Sequence, residues 1–410
     1  MRCGDLRALF VHHYPAFGGP QNRVLRLAPP LAQKGWTVSI VLPTEEGNAA
    51  PRLRSAGVDV IQTPLGRLRR VRDPRPNLTM LSRAPHEIWQ LRQIIRATQA
   101  SVVIVGNLLM PHGAIAARLE GRAVLWQIVD TTVPPVLQLG VMPMVRILAD
   151  ALAYGGASLP SQHVGARRLP QPAFVVPPPV DTRTFVADAT ARAAVREELA
   201  IPPDAPLVGQ VANINPTKGL DGFLRAAALV RRSIPRARFV IVGSVHDAHA
   251  SYFDALQRLQ GQLDLDTSML WIGDRGDVER YYAAMDVFVV SSLPRSEGTT
   301  TTAMEALACC VPVVATDVGA IHEVVIDGMT GRPVPPESPN ALASAIVALL
   351  RDETFRRTLG SAGRQHVVEN FDLELCAGRY VDAFTAAIDH QARRGGRWRQ
   401  GRYEGESCRR

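Results

Sequence analysis

The sequence predicts two doubly wound α/β domains, on three observations. The chain has 410 residues, beyond the roughly 250–300 at which a single core stops growing. Short, nearly continuous apolar runs alternate with helical patterns from end to end, as in parallel sheets covered on both faces. The alternation pauses at Pro177, Pro178 and Pro179 and then starts again.

In the first half, residues 6–12 read as a strand, 23–34 as a helix and 37–42 as a strand. Residues 88–100 are helical, 101–105 a strand, 113–119 a helix and 123–129 a strand. Residues 57–85 break the rhythm with Pro64, Pro74, Pro76 and five arginines between Arg67 and Arg75, and read as a surface loop region. In the second half, strands are expected at 207–211, 237–243, 269–272, 287–291 and 313–316. Helices are expected at 220–232, 248–263, 278–285, 301–309 and 340–351. The resulting division is a first domain over 1–170 and a second over 171–370. A helix within 371–390 is expected to pack back toward the first domain, ahead of a basic, disordered tail at 391–410.

Composition narrows the function classes. Hydrophobic residues make up 46% and charged residues 20%, which suits a globular protein and excludes wholesale disorder. The formal charge is +8, but residues 391–410 hold seven arginines against Glu404 and Glu406, so +5 of it sits in the tail and +3 elsewhere. A nucleic-acid binder carries its excess on a folded face, so nucleic acid is not an expected partner. The tail is either solvated or a contact for the inner face of an anionic membrane. Five scattered cysteines, of which only Cys309 and Cys310 adjoin, offer neither a disulfide framework nor a metal spacing, and imply reduced thiols in the cytoplasm. Residues 1–5 lead straight into a strand without a signal peptide, and no run reaches the ~18–20 apolar residues needed to cross a bilayer.

The densest chemistry lies at 291–307, Ser-Ser-Leu-Pro-Arg-Ser-Glu-Gly-Thr-Thr-Thr-Thr-Ala-Met-Glu-Ala-Leu. A strand ends in a loop carrying Glu297. Thr299, Thr300, Thr301 and Thr302 then offer hydroxyl caps to a helix, with Glu305 about one turn inside it. The amides and positive dipole end of that helix suit a pyrophosphate, leaving Glu305 for ribose hydroxyls and Glu297 for a sugar. Stability alone also favours a capped helix with an early acid. As a hydrolase pair the carboxylates are poorly spaced, ~12 Å apart along one helix against ~5–9.5 Å for a pair flanking a glycosidic bond.

Two further segments fall at strand ends, where open α/β sheets bind ligands. Lys218, in Val-Ala-Asn-Ile-Asn-Pro-Thr-Lys-Gly at 211–219, places a point charge suited to a leaving diphosphate; a solvated lysine at a helix start is the plainer alternative. Phe17-Gly18-Gly19-Pro20 allows close backbone approach to a phosphate or sugar, and equally a simple turn. Arg275 is either a lid over a base or a surface arginine. Asp130 suits an acceptor hydroxyl or an Asx-turn, and His112 reads as a loop histidine.

Glu297 and Glu305 have seven residues between them, and Cys310-Val-Pro-Val-Val-Ala-Thr-Asp-Val-Gly-Ala-Ile-His-Glu-Val-Val-Ile-Asp-Gly-Met-Thr-Gly331 follows. This block resembles the E-x7-E segment of retaining GT4 glycosyltransferases with the GT-B fold. The resemblance spans roughly residues 6–388 and is strongest over 207–335. It implies two Rossmann-like domains facing a cleft, the first for an acceptor and the second for a UDP- or GDP-linked sugar. It assigns catalysis to Glu297 and Lys218, and donor binding to Gly18, Gly19, Asn213, Lys218, Arg275, Thr299, Thr300, Thr301 and Glu305. Asp130 and His112 fall on the acceptor side. No metal or other cofactor is implied, and transfer proceeds by front-side attack with retention.

Three positions depart from the family pattern. Asn213 stands where an arginine pairs with the lysine, Pro178 and Pro179 replace an Asn-Gly hinge, and Val129 precedes Asp130 in place of a histidine. These departures keep open a nucleotide-sugar hydrolase or epimerase, and a non-catalytic sugar-nucleotide binder. A dinucleotide dehydrogenase is excluded, because neither half carries G-x-G-x-x-G with an acid about 20 residues on. Acceptor choice is expected from residues 66–75 and 133–148. The latter, an apolar stretch, suits a lipid-linked acceptor or a buried helix.

Overall fold

The computed structural model describes residues 6–66, 75–129 and 131–407, with backbone alone for 75–81 and 395–407. They form two compact units. The arginine-rich loop at 67–74 and the acceptor-side candidate Asp130 lie outside the described residues.

The first unit opens with β1 (Leu6–Val11), α1 (Gly19–Gln33), β2 (Trp36–Pro43), α2 (Ala49–Ser55), β3 (Asp59–Thr63) and α3 (Arg75–Thr98). It continues with β4 (Val102–Val105), α4 (Pro111–Leu119), β5 (Ala123–Ile128), α5 (Pro135–Leu148), β6 (Ala151–Tyr154), α6 (Leu159–Gln162) and β7 (Ala173–Val175). The sheet order is β3-β2-β1-β4-β5-β6-β7, parallel throughout. Every residue of β4 and β5 is buried, which is why β4 reads as an unbroken apolar run and β5 as one interrupted only by Gln127.

The second unit contains α7 (Ala189–Glu198), β8 (Leu207–Val211), α8 (Leu220–Ser233), β9 (Arg238–Val242), α9 (Ala250–Gln262), β10 (Met269–Gly273) and α10 (Val278–Ala284). It ends with β11 (Val287–Val290), α11 (Thr301–Ala308), β12 (Val313–Thr316), β13 (Gly331–Val334), α12 (Pro339–Arg351) and α13 (Glu353–Phe371). Its parallel sheet runs β10-β9-β8-β11-β12-β13, between one core around Tyr282, Phe288 and Met304 and another around Phe223, Phe239 and Ile346. The strand order reverses between β1 and β4 in the first sheet and between β8 and β11 in the second. Such reversals leave a crevice beyond the carboxyl ends of the strands.

The chain passes from the first unit to the second at Pro179–Val180, and α14 (Leu373–Ser407) belongs to the first. Val176 N–H donates to Tyr154 O at 2.7 Å, so β7 and the residues after it complete the first sheet. The boundary therefore falls nine residues beyond the expected one. Tyr380 and Phe384 of α14 enter the first core beside Phe10 and Trp36.

Three expectations are corrected. Residues 57–85 are not all loop, because β3 pairs along β2, with Ser39 Oγ bonded to Asp59 at 2.7 Å, and α3 begins at Arg75. The helix at 133–148 is not buried: α5 leaves Val136, Leu137, Leu139 and Ile147 exposed. Residues 391–407 are helical as part of α14, carried on by Arg394, which donates to Ile147 O at 3.0 Å, and by His390, 3.2 Å from the buried Asp150.

Candidate active site

In the second unit the loops after β8 and β11 meet at the reversal of strand order. After β8, Asn215 accepts from Thr217 N–H and starts a 3₁₀ turn, Pro216–Lys218. Gly219 follows at φ 59°, where a Cβ would lie 2.1 Å from Ser291 O, so conformation and space both demand glycine. Ser291 Oγ donates to Lys218 O at 2.8 Å, and Leu293 N–H to Thr217 O at 2.9 Å. The two loops are thus stapled through their backbones.

This stapling carries Lys218 Nζ to within 2.5 Å of Glu297 Oε1. The same oxygen accepts from Ser292 Oγ at 2.6 Å, and Thr316 Oγ1 holds Ser292 O at 2.7 Å. Glu297 is buried while Lys218 is 26% exposed along its side chain, so the ammonium is both paired and reachable. The loop is braced from behind by Gly319, at φ 62°, whose Cβ would lie 2.6 Å from the carbonyl oxygens of both Glu297 and Gly298. Ala320 N–H donates to Gly298 O at 2.8 Å.

Glu305 is buried in α11 and accepts from Tyr282 Oη at 2.7 Å. Thr300 is the N-cap residue, preceded by Thr299 and followed by Thr301, yet its hydroxyl makes no capping bond. Its Oγ1 is buried without a hydrogen-bond partner among the described residues. The expected hydroxyl cap is therefore not supplied by Thr300. Asn213 Oδ1 accepts from Ser244 Oγ at 3.2 Å. Arg275 is engaged with Asp277 at 2.9 and 3.1 Å and lies 5.1 Å from the Tyr281 ring centroid. Ion pairing with Asp277 raises its pKa.

In the first unit the corresponding rim is rich in histidine. His12 and His13 follow β1; His13 Nδ1 lies 2.7 Å from Met110 Sδ, and a Cβ on Gly106 would sit 2.7 Å from His12 Cδ2. His112, two residues into α4, is buried. His12 Nε2 and His112 Nε2 have no hydrogen-bond partner among the described residues. Burial, with Arg23 adding to it, lowers the His12 pKa to about 3; burial lowers that of His112 to about 4. Both imidazoles are neutral at pH 7. Gly18 has extended backbone at φ −158°. A Cβ there would meet only Gln21 Oε1 at 3.7 Å, and one on Gly19 would meet nothing within 4 Å. Neither glycine is required by the turn itself.

The structure thus unites Lys218 with Glu297 and seats Glu305 in the helix that follows. It ties Arg275 to α10, leaves Gly18, Gly19 and His112 on the first unit, and gives Asn213 a serine partner. Sequence reasoning missed Ser292, Tyr282, Gly319 and His12. The glycine and Ser292 lay inside quoted segments without being singled out, whereas Tyr282 and His12 carry no motif.

Residues 191–366 match the glycosyl transferases group 1 family, and residues 18–151 the glycosyl transferase 4-like domain. A GDP-mannose-dependent α-(1-6)-phosphatidylinositol monomannoside mannosyltransferase of Mycolicibacterium smegmatis is 29% identical over 320 residues, 75% of this chain and 80% of the relative. A D-inositol 3-phosphate glycosyltransferase of Kineococcus radiotolerans is 34% identical over 241 residues, 55% of this chain and 54% of the relative. The match therefore takes in about half the length of that second enzyme. Among solved structures, Anabaena HepE in complex with UDP-glucose superposes with a TM-score of 0.79 at 18% identity, covering 93% of this chain and all of the other. Sucrose-phosphate synthase from Thermosynechococcus elongatus gives 0.73 at 21% identity, covering 93% of this chain and 98% of that one. With both halves matched and both sheets of the expected kind, the chain is a GT4-like glycosyltransferase with the GT-B fold.

Proposed function

We propose that this enzyme moves a sugar from a nucleoside diphosphate, uridine- or guanosine-linked, to a hydroxyl of a glycan, lipid-linked or small-molecule acceptor, with retention and without a metal. One observation carries the reading: an ammonium and a carboxylate 2.5 Å apart where the second sheet reverses its strand order. The names of the relatives, one GDP-mannose-dependent, and the UDP-glucose held by Anabaena HepE support such a donor.

Lys218 meets the charge that grows on the diphosphate as the anomeric C–O bond breaks, a form of electrostatic preorganisation. The uncapped first turn of α11 adds backbone amides to the same charge. Glu297 accepts from hydroxyls of the transferred sugar, and Glu305, oriented by Tyr282, from those of the ribose. The acceptor oxygen bonds the anomeric carbon on the face the diphosphate leaves, and its proton passes to the departing diphosphate oxygen. Gly18 and Gly19, glycines that their own turn does not need, admit a substrate oxygen close to the backbone. Neutral His112 suits hydrogen bonding to an acceptor hydroxyl. Asn213 supplies no charge, so Lys218 bears more of the load.

The test is nucleoside diphosphate release from a panel of UDP- and GDP-sugars, with and without candidate acceptors. Release that needs an acceptor is expected. Release without one points to a hydrolase, and donor binding with no release at all to a binding protein. Glu297→Gln should lower turnover at least a hundredfold. It also weakens the bond to Lys218, so a stability loss of about 1–3 kcal/mol is expected. Wild-type turnover in that variant would refute the role of Glu297.

A further inference from the structure

α5 wears its hydrophobic side outward. Its inward stripe is Gln138, Met142 and Val145, all buried. The Gln138 side chain donates to Val133 O at 2.7 Å and accepts from Val164 N–H at 2.8 Å. Its outward stripe, spaced i, i+3, i+7 and i+11, is Val136, Leu139, Pro143 and Ile147, of which Val136 is 77%, Leu139 62% and Ile147 63% exposed. Leu137 flanks it and is also exposed. Among the residues whose side chains are described, every other helix has at most one large hydrophobic so exposed. The stripe is about 16 Å long at 1.5 Å per residue, an inverted amphipathic pattern that a water-facing helix does not need.

The charge along this stretch of chain is mainly positive. Between residues 133 and 172 the chain carries Arg146, Arg167 and Arg168, all exposed, against one acid, Asp150. That acid is fully buried and held by Arg118 at 3.0 Å. α14 brings more positive charge to the end of the stripe, since Arg394 donates to Ile147 O at 3.0 Å. Among the described residues no helix is long and apolar enough to cross a membrane.

We propose that the outer face of α5, with Arg146, Arg167, Arg168, Arg393 and Arg394, docks on an anionic lipid bilayer. The apolar stripe enters the boundary between headgroups and acyl chains while the arginines meet lipid phosphates. A second copy of the chain fits less well, because an isologous pairing would set these arginines against one another. The docking is independent of the transferase reading, because it involves none of the residues given a role there.

The test is co-sedimentation of the full chain with phosphatidylcholine vesicles, alone or with one third phosphatidylglycerol. Binding to the mixed vesicles, weakened by salt, and little binding to phosphatidylcholine alone are expected. The double variant V136E/L139E, at two exposed positions, should bind at least tenfold more weakly with unchanged far-UV circular dichroism and nucleotide binding. The R167E/R168E variant should lose part of the salt-dependent binding. A chain ending at Arg394 should still bind, with lower affinity. The proposal is overturned if the wild type ignores anionic vesicles, or if V136E/L139E binds like the wild type. It is also overturned if the tail truncation alone abolishes binding, or if the stripe proves by light scattering to mediate a lipid-independent dimer.

Discussion

At the scale of single residues, Ser292 is the positioning residue for Glu297. Its hydroxyl and the Lys218 ammonium approach one oxygen of that carboxylate, at 2.6 and 2.5 Å, so Ser292→Ala leaves the acid one anchor and room to turn. A misplacement near 1 Å at a reacting group costs up to about a hundredfold. Turnover in Ser292→Ala should fall about ten- to a hundredfold, while Ser296→Ala, which removes a hydroxyl bonded to Leu293 O in the same loop, should change it little. Equal losses in steady-state assays of the two would make Ser292 merely a loop residue. Glu297, Lys218 and Glu305 were legible as candidates because each sits in a motif that follows a strand. Ser292 was not, since its role depends on a loop path that no short spacing encodes. His12 and His112 make a separate prediction. Their folded pKa values lie below the unfolded value near 6.5, so as pH falls through 6.5 the unfolded chain takes up protons that the folded chain refuses. Stability is then lost from pH 6.5 down to about 4 for His112 and about 3 for His12. In urea titrations from pH 6 to pH 5 the wild type should lose about 1 kcal/mol more than His112→Gln. Parallel losses would mean that His112 is not held neutral.

At the scale of elements, the fully buried strands announced themselves: Val102–Val105 and Val287–Val290 are unbroken apolar runs. β3 did not, because Asp59–Thr63 is short, sits between Gly57 and Pro64, and has a solvent-facing side. α5 was recognised as apolar, but the face it turns inward was left open. Composition does not reveal which stripe faces inward when the inward stripe includes a glutamine satisfied by Val133 and Val164. The turn after β12 offers a clean experiment on how an element holds the site. Gly319 and Gly328 share left-handed backbone, at φ 62° and 70°. A Cβ on Gly319 would strike two carbonyls of the Glu297 loop, whereas one on Gly328 meets nothing within 4 Å. Both alanine variants should lose about 1–2 kcal/mol to backbone strain. Gly319→Ala should lose more in thermal melts, and turnover about tenfold or more, because the loop must move. Identical melting and turnover in the two variants would show that the close contact constrains nothing.

At the scale of the whole molecule, the alternation of strands and helices foretold two parallel sheets, and the chain crosses between the units directly after the prolines at 177–179. The return of the chain is where a linear reading has least purchase, since Tyr380 and Phe384 complete a core whose members outside α14 all lie before residue 180. Phe384 lies 4.8 Å from the Trp36 ring and 6.4 Å from that of Phe10, centroid to centroid. Tyr380 Oη accepts from Gln127 Nε2 at 2.9 Å. Truncating Phe384 to alanine should therefore cost about 3–5 kcal/mol, borne by the first unit although the next residues upstream of α14 belong to the second. Hydrogen exchange can read the two units separately. Amides of β1, β2, β4 and β5 should lose protection by about two to four orders of magnitude, as that free energy requires, while those of β8, β11 and β12 stay as they were. A uniform loss across both sheets would mean that the units unfold as one body. The chain's return through α14 would then stabilise the entire molecule rather than the sheet it packs upon.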